Sequence, residues 1–351
     1  MKISLCMICG NEEQVILRCL ESAKDAFDEI CLVSAIGNQA ADKTLYVAEK
    51  WCAENGKEFR GDRYLNTHDL PHVDDFGAAR NLSFHLATGE WILWLDCDDY
   101  LDTINCARIR EAITVVGPEV NGIFANYNIE RNGAEIVRER LIRRGHGHWK
   151  NAIHETCVVQ GVKLNCPQIV VFHGDHRHKH TSSAARNATI LERVLEDAPR
   201  HYFYLHCETK MLKDPRSAEF GRIALALLGN DQVEERYVVL LNLSELEPDR
   251  REERLHEAAK LQPHRREAFA YLCKSALLDG RTSDAVSYFR LMDALPLPSP
   301  VPWTHQGIWY GWARHSLRVE VLRACGQIEQ ADKEHAEHLA DPDYAENCGK
   351  V

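Results

Sequence analysis

The feature that most limits the fold is an alternation running through the first hundred residues. Short apolar runs, "KISLCMI" (residues 2–8), "EICLVSA" (29–35) and "WILWLD" (91–96), are separated by amphipathic stretches such as "EEQVILRCLESAKDAF", "DKTLYVAEKWCAEN" and "FGAARNLSFHLATG". Strand and helix in alternation build a mostly parallel sheet with helices on its faces. Ligands of such sheets bind beyond the carboxyl ends of the strands, where the strand order reverses. The segments to inspect are therefore 9–13, 34–42 and 96–99.

After Gly122 come two extended segments, "GIFANYNIE" and "AEIVRERLIRR", flanking Asn132-Gly133, a strong hairpin signal. A further strand, "QIVVFHG", ends at His173, and beyond about Ser182 helical patterns take over. Residues 268–296 place Phe269, Leu272, Gly280, Ala285, Phe289 and Pro296 in the spacing of a helix-turn-helix tetratricopeptide repeat, with weaker units near Tyr202 and Trp312. A chain of 351 residues exceeds the size at which one core stops growing. The expectation is an α/β domain over residues 1–181 and an all-α helical-repeat domain over residues 182–351. The helical part is expected either to offer a surface for a protein partner or self-association, or to brace the first domain.

A net charge of −11 argues against a chain held electrostatically on nucleic acid or anionic lipid. The 13 cysteines are odd in number and lie in apolar segments, and the start lacks the pattern of a signal peptide, so a reduced, cytoplasmic protein is expected. Cys6 and Cys9 form a C-x-x-C, but no second pair at metal spacing follows; two buried thiols are the simpler reading. No run reaches the roughly 20 apolar residues of a membrane span.

The chemistry concentrates in "WILWLDCDDYL", where a buried strand runs into Asp96, Asp98 and Asp99. Carboxylates this close repel one another, and a hard divalent cation is the simplest relief. Mg²⁺ and Mn²⁺ complete their shells with water and substrate phosphates, which points to a nucleotide diphosphate as shared ligand. The plainer alternative is a solvated acidic turn, with Asp102 or Thr103 capping the next helix.

The pieces "ISLCMICGNEE", "CLESAKDAFDEICLV", "DDFGAARNLSFHLATGEWILWLDCDD", "HWKNAIHE", "VVFHG" and "ARNATILERVLEDAPRHYFYL" occur in an order that resembles family 2 glycosyltransferases of the GT-A fold, over roughly the first 210 residues. The resemblance implies a Rossmann-like, mixed-sheet nucleotide-diphospho-sugar transferase domain, followed here by a tetratricopeptide-like helical tail. It implies Asp98 as direct metal ligand, Asp96 as a further ligand nearer the ribose and pyrophosphate, and Mn²⁺ or Mg²⁺ as the ion. Cys9, Gly10, Asn11 and Glu12 would lie beside the base and ribose of a nucleotide sugar, a UDP-sugar by analogy. Arg80, preceded by Asp75, would stand beside the donor. Where relatives carry an aspartate after the second strand, this chain has Ser34, which leaves the base and the sugar open.

An inverting enzyme needs a group to take the acceptor's proton. Glu155 of "AIHE" is the candidate, with Asp99 as rival, and the alternative is a structural pair of Glu155 with Arg143 or Arg144. His154 could position acceptor or diphosphate, Trp149 could wall the sugar pocket or belong to the core, and His173 could be a third metal ligand or a core residue. His176, His178 and His180 read as a solvated loop. The acceptor stays open among peptide, saccharide and modified nucleobase. The competing classes are a nucleotidyltransferase, which would need a basic glycine-rich loop where "CGNEEQV" is acidic, and a silent repeat-type binding module.

Overall fold

The computed structural model describes residues 1–129, 134–174, 183–194, 198–299, 304 and 306–347. The Asn132-Gly133 turn, His176, His178, His180 and the expected domain boundary at 181/182 lie outside them. The chain divides into two compact units, Met1–Glu196 and Asp197–Val351.

The first unit is built on one eight-stranded sheet. Its strands are β1 (Ile3–Cys9), β2 (Glu29–Ser34), β3 (Glu58–Arg63), β4 (Trp91–Trp94), β5 (Asp99–Tyr100), β6 (Val120–Ile129), β7 (Ala134–Arg143) and β10 (Val162–His173). They lie in the order β3-β2-β1-β4-β7-β6-β10-β5, and β8 (Gly147–Lys150) and β9 (Thr156–Val159) form a separate antiparallel pair. The run from β3 to β4 is parallel, and β7 is antiparallel to both neighbours. Chain order reverses at β1, which pairs with β2 on one side and β4 on the other. That reversal opens the crevice in which a ligand can sit.

Period-two alternation decides which residues reach which face. Ile3, Leu5, Met7 and Cys9 join Trp91 and Leu93 under α1 (Ile16–Ala23), α2 (Thr44–Glu54) and α4 (Thr103–Val115), meeting Leu20, Trp51 and Ile109. On the other face Cys6, Cys31, Ile92 and Trp94 meet Phe84 of α3 (Phe76–Leu86) and Trp149, Cys157 and Val159 of the β8–β9 pair. Because Cys6 and Cys9 enter these opposite cores, they cannot share a metal ion, and the C-x-x-C is two buried thiols. Both faces being covered explains why β1 and β4 read as unbroken apolar runs. Truncating fully buried Trp91 to alanine would cost about 3–5 kcal/mol. The unit closes with α5 (Ser183–Arg193).

The second unit is helical throughout its described residues. Helices that pack against each other are α6 (Ala198–Met211) with α7 (Ser217–Leu227), α8 (Val233–Leu246) with α9 (Arg251–Leu261), α10 (Arg266–Leu278) with α11 (Thr282–Ala294), and α12 (Trp312–Ala324) with α13 (Ile328–His338), followed by α14 (Pro342–Asn347). The segment read as a tetratricopeptide repeat forms α10 and α11. Gly280 makes its turn at φ +70°, a left-handed conformation that glycine adopts without a Cβ penalty. Phe269, Ala285 and Phe289 pack together with Trp309 and Leu317 in the core of this unit. No helix among the described residues is long and apolar enough to cross a membrane.

Candidate active site

At the carboxyl ends of β1 and β4 lies a cleft of about 900 Å³. It is lined by Ile8, Cys9, Gly10, Asn11 and Glu12 after β1, by Arg80, Asp96 and Asp98, and by Ile153, His154, Glu155 and His173. A volume of that order fits a cofactor-sized ligand.

The acid cluster is neutralised from beneath. β4 leads into a tight turn in which the Asp96 amide donates to Asp99 Oδ2 at 3.0 Å and the Asp99 amide to the Asp96 carbonyl at 3.0 Å. This turn sends Asp96 and Asp98 to the cleft and buries Asp99 completely. Asp99 accepts from Tyr127 Oη at 2.8 Å and Arg140 Nη1 at 3.1 Å, and its Oδ1 lies 3.1 Å from His173 Nδ1. Tyr127 spends its one hydroxyl proton on Asp99, and its Oη lies 2.8 Å from His173 Nδ1. A neutral His173 ring whose Nδ1–H faces Asp99 and Tyr127 keeps its lone pair on Nε2. The bond to Asp99 also raises the His173 pKa above its ordinary value. As proton acceptor for catalysis Asp99 fails, because both its oxygens are engaged and neither meets solvent.

Arg80 holds two other carboxylates. Its Nη2 donates to Asp96 Oδ1 at 2.8 Å and its Nε to Glu155 Oε1 at 2.7 Å. Its guanidinium lies 5.0 Å from the Trp94 ring centroid and 4.9 Å from that of Trp149. Burial pushes the Asp96 carboxyl up, but Arg80 and Arg140 outweigh it and hold it below the usual carboxylate range. The expected pairing of Glu155 with Arg143 or Arg144 is replaced by Arg80. Arg143 and Arg144 instead bond backbone carbonyls of Val120 and Gly89.

What brings α3 to Glu155 is a set of backbone contacts. Asn81 donates to the Trp149 carbonyl at 2.9 Å and accepts from its amide at 2.8 Å, and the Phe76 amide donates to the Ala152 carbonyl at 2.8 Å. The loop that follows holds Asn151 at φ 73° and His154 at φ 51°, conformations uncommon outside glycine and frequent beside functional sites.

Several expected donor-site residues have other work. Trp149 is buried against Phe84 and Trp94 and does not line the cleft, so it is core beneath Arg80 and not a sugar wall. Asp75 caps α3, accepting from the Ala78 amide at 2.7 Å, and also lies outside the lining. Ser34 is buried at its strand end, and Ala35, Ile36 and Gln39 line the cleft in its place. Asn11 does line the cleft, while its side chain clamps the loop before α2 by donating to the Ala40 carbonyl and accepting from the Asp42 amide.

Residues that can hold a cation are Asp98, Asp99 and His173, whose ligand atoms lie within 4.8 Å of one another. Carboxylate and imidazole donors suit Mn²⁺ or Mg²⁺. With the Asp99 oxygens engaged, Asp98 and the His173 imidazole are the available ligands, His173 Nδ1 lying 3.7 Å from Asp98 Oδ1, and Asp99 is the group that orients the ring. Asp96, expected as a ligand, is not one of these three, and its Oδ1 accepts from Arg80 Nη2. Sequence reasoning missed the lining residues Pro71, His72, Val73 and, from α5, Arg186, Asn187 and Thr189. Arg186 lies in one of the segments that carry the resemblance and could have been picked out there.

Residues 4–145 match the sequence model described as Glycosyl transferase family 2. A TPR repeat-containing protein of Synechococcus elongatus is 37% identical over 100 residues, 28% of this chain and 21% of that one. The SPbeta prophage-derived glycosyltransferase SunS of Bacillus subtilis is 25% identical over 227 residues, 61% of this chain and 51% of that one. The chain thus spans about half or less of the length of these relatives. Among solved structures, S. aureus TarS 1-349 in complex with UDP-GlcNAc aligns at 12% identity and TM-score 0.40, over 84% of this chain and 91% of that one. With the family match running from β1 through β7 and the acid cluster seated where that sheet opens, the first unit of this chain is a family 2 glycosyltransferase domain.

Proposed function

We propose that the chain is a metal-dependent inverting glycosyltransferase that moves a sugar from a nucleotide diphosphate, a UDP-sugar by resemblance, to an external acceptor. The observation that carries this reading is the geometry of one cleft: Asp98, His173 and Glu155 line it together, with Arg80 joining Glu155 to Asp96. A divalent cation bound at Asp98 and His173 would neutralise charge on the departing diphosphate. The chain's own residues do the rest. Cys9, Gly10, Asn11 and Glu12 flank the nucleoside, and Arg80 places its charge in the cleft lining. Glu155 accepts the acceptor's proton as the acceptor oxygen, nitrogen or sulfur bonds to the anomeric carbon and the bond to phosphate breaks. An external nucleophile makes a covalent enzyme intermediate unnecessary. Peptide, saccharide and modified nucleobase remain the acceptor classes, and the helical unit is the natural place for a protein acceptor or partner. The acidic loop after β1 speaks against nucleotidyl transfer.

The test is donor binding followed by thermal shift with UDP-sugars, with and without Mn²⁺. A metal-dependent rise in melting temperature that vanishes in Asp98→Ala supports the reading. No response to any nucleotide sugar in the wild-type chain would overturn it.

A further inference from the structure

We propose that Arg140 is a positioning residue for the cation site, acting through Asp99 on His173; this rests on the metal reading above. Three observations meet at this one residue. First, Arg140 is the extra residue of a β-bulge: Ile123 faces Leu141 and Phe124 faces Glu139, so Arg140 has no partner on β6. Bulges occur beside active sites because they re-aim a side chain. Second, the re-aimed side chain is fully buried beneath the acid turn, donating to Asp99 Oδ2 at 3.1 Å and the Trp94 carbonyl at 3.2 Å. Third, its guanidinium is held between two rings, 3.9 Å from the Trp94 centroid and 4.2 Å from that of Tyr127, and its Nε and Nη2 have no hydrogen-bond partner among the described residues.

Such a residue is poorly explained by stability alone. A buried ion pair replaced by apolar groups of similar volume is often as stable or more so, whereas an unpaired half is strongly destabilising. Arg140 and Asp99 are therefore retained together for the geometry they impose. Arg140 fixes Oδ2 of Asp99, which leaves Oδ1 for Tyr127 and the His173 ring. The ring is then held beside Asp98, its Nδ1 3.7 Å from Asp98 Oδ1, and groups that orient a metal ligand in this way typically change metal affinity 10–100-fold.

The experiment measures Mn²⁺ binding to the nucleotide-free, full-length chain by electron paramagnetic resonance of the free ion, alongside thermal melting. Arg140→Met keeps an unbranched apolar stem and removes the nitrogen that bonds Asp99 and the Trp94 carbonyl; Mn²⁺ affinity is expected to fall about tenfold or more. Arg140→Lys retains the buried charge and so keeps the fold, but its side chain is one bond shorter and withdraws the donor from the place where Nη1 bonds both Asp99 and the Trp94 carbonyl; a roughly threefold loss is expected. Affinity that is unchanged or tighter in the folded variants, whatever happens to the melting temperature, would overturn the inference. Tightening would mean that Arg140 acts only as a repelling charge. A wild-type chain that bound no Mn²⁺ would overturn the metal reading and this inference with it, whereas wild-type binding with indifferent variants overturns this inference alone.

Discussion

Arg80 Nε donates to Glu155 Oε1 at 2.7 Å, joining a helix of the parallel half of the sheet to the loop between β8 and β9. Both side chains are nearly buried, and the same guanidinium reaches Asp96 at 2.8 Å. In Arg80→Met, Asp96 and Glu155 lose their shared counter-charge. Breaking a buried pair costs about 3–5 kcal/mol, and Asp96 recovers part of that through its exposure, so a loss of about 2 kcal/mol is expected. Turnover is expected to drop at least about 100-fold, because a charge aimed at the reacting centre is worth that much. Arg80→Lys should keep most of the stability and little of the activity, since an ammonium cannot bridge two carboxylates as a planar fork does. Denaturant melts together with donor-hydrolysis rates check both statements.

Glu155→Gln separates binding from proton transfer. The amide can still accept from Arg80, so donor affinity and melting temperature should stay near wild type. Transfer should fall about 10²–10⁴-fold, the usual contribution of a general base. Nucleotide affinity by calorimetry and transfer to an acceptor panel are the two readouts; normal transfer with normal binding would remove Glu155 from the role.

How far the sequence foretold this site depends on which contacts are local. The alternating runs, Asp96 and Asp98 at the end of a strand, and the helical hairpin at 268–296 are patterns along the chain, and each is legible before folding. The sequence sets Asp99 apart only as a rival base or a residue behind the ligands, because the turn that bonds its carboxylate to the Asp96 amide is what decides which acid faces inward. Arg140 stands among alternating charges in "VRERLIRR" and reads as part of a solvated strand. Its bulge is a relation to β6 and cannot be seen in β7 alone. Trp149 and Ser34 misled for the same reason: their residue types suit a pocket, but the partners that bury them lie far away in sequence.

Gly77 shows how closely α3 is docked on the loop that carries Glu155. A Cβ at this position would lie 2.5 Å from the Asn151 carbonyl oxygen, a backbone atom that cannot swing aside as the end of a flexible side chain can. Gly77→Ala is expected to destabilise by about 1–3 kcal/mol, as overpacking does. It should also lower turnover by pushing Arg80 and Glu155 apart, whereas Gly56→Ala, with nothing within 4 Å but a left-handed φ of +64°, should cost about 1 kcal/mol of stability and leave turnover unchanged. Equal activity in the two variants would show that the helix–loop contact does not set the site.

At the opposite, amino end of the strands, Glu29 sits fully buried among Lys2, Ser4, Thr88 and Arg60. Burial alone would push its carboxyl up. The bonds from Lys2, Ser4 and Thr88 outweigh that and hold it well below the usual carboxylate range. A carboxylate depressed on folding contributes stability that is complete above its unfolded value of about 4.3 and is lost as pH falls toward the folded one. Glu29→Gln leaves Lys2 and Arg60 without their buried partner and should cost about 3 kcal/mol at neutral pH. The difference between wild type and variant should then narrow steadily as pH falls below about 4.3, since protonated Glu29 resembles the amide. Urea melts from pH 7 to pH 3 measure this. Wild-type and Glu29→Gln curves that stay parallel over the whole range would mean that the buried carboxylate does not contribute to acid unfolding.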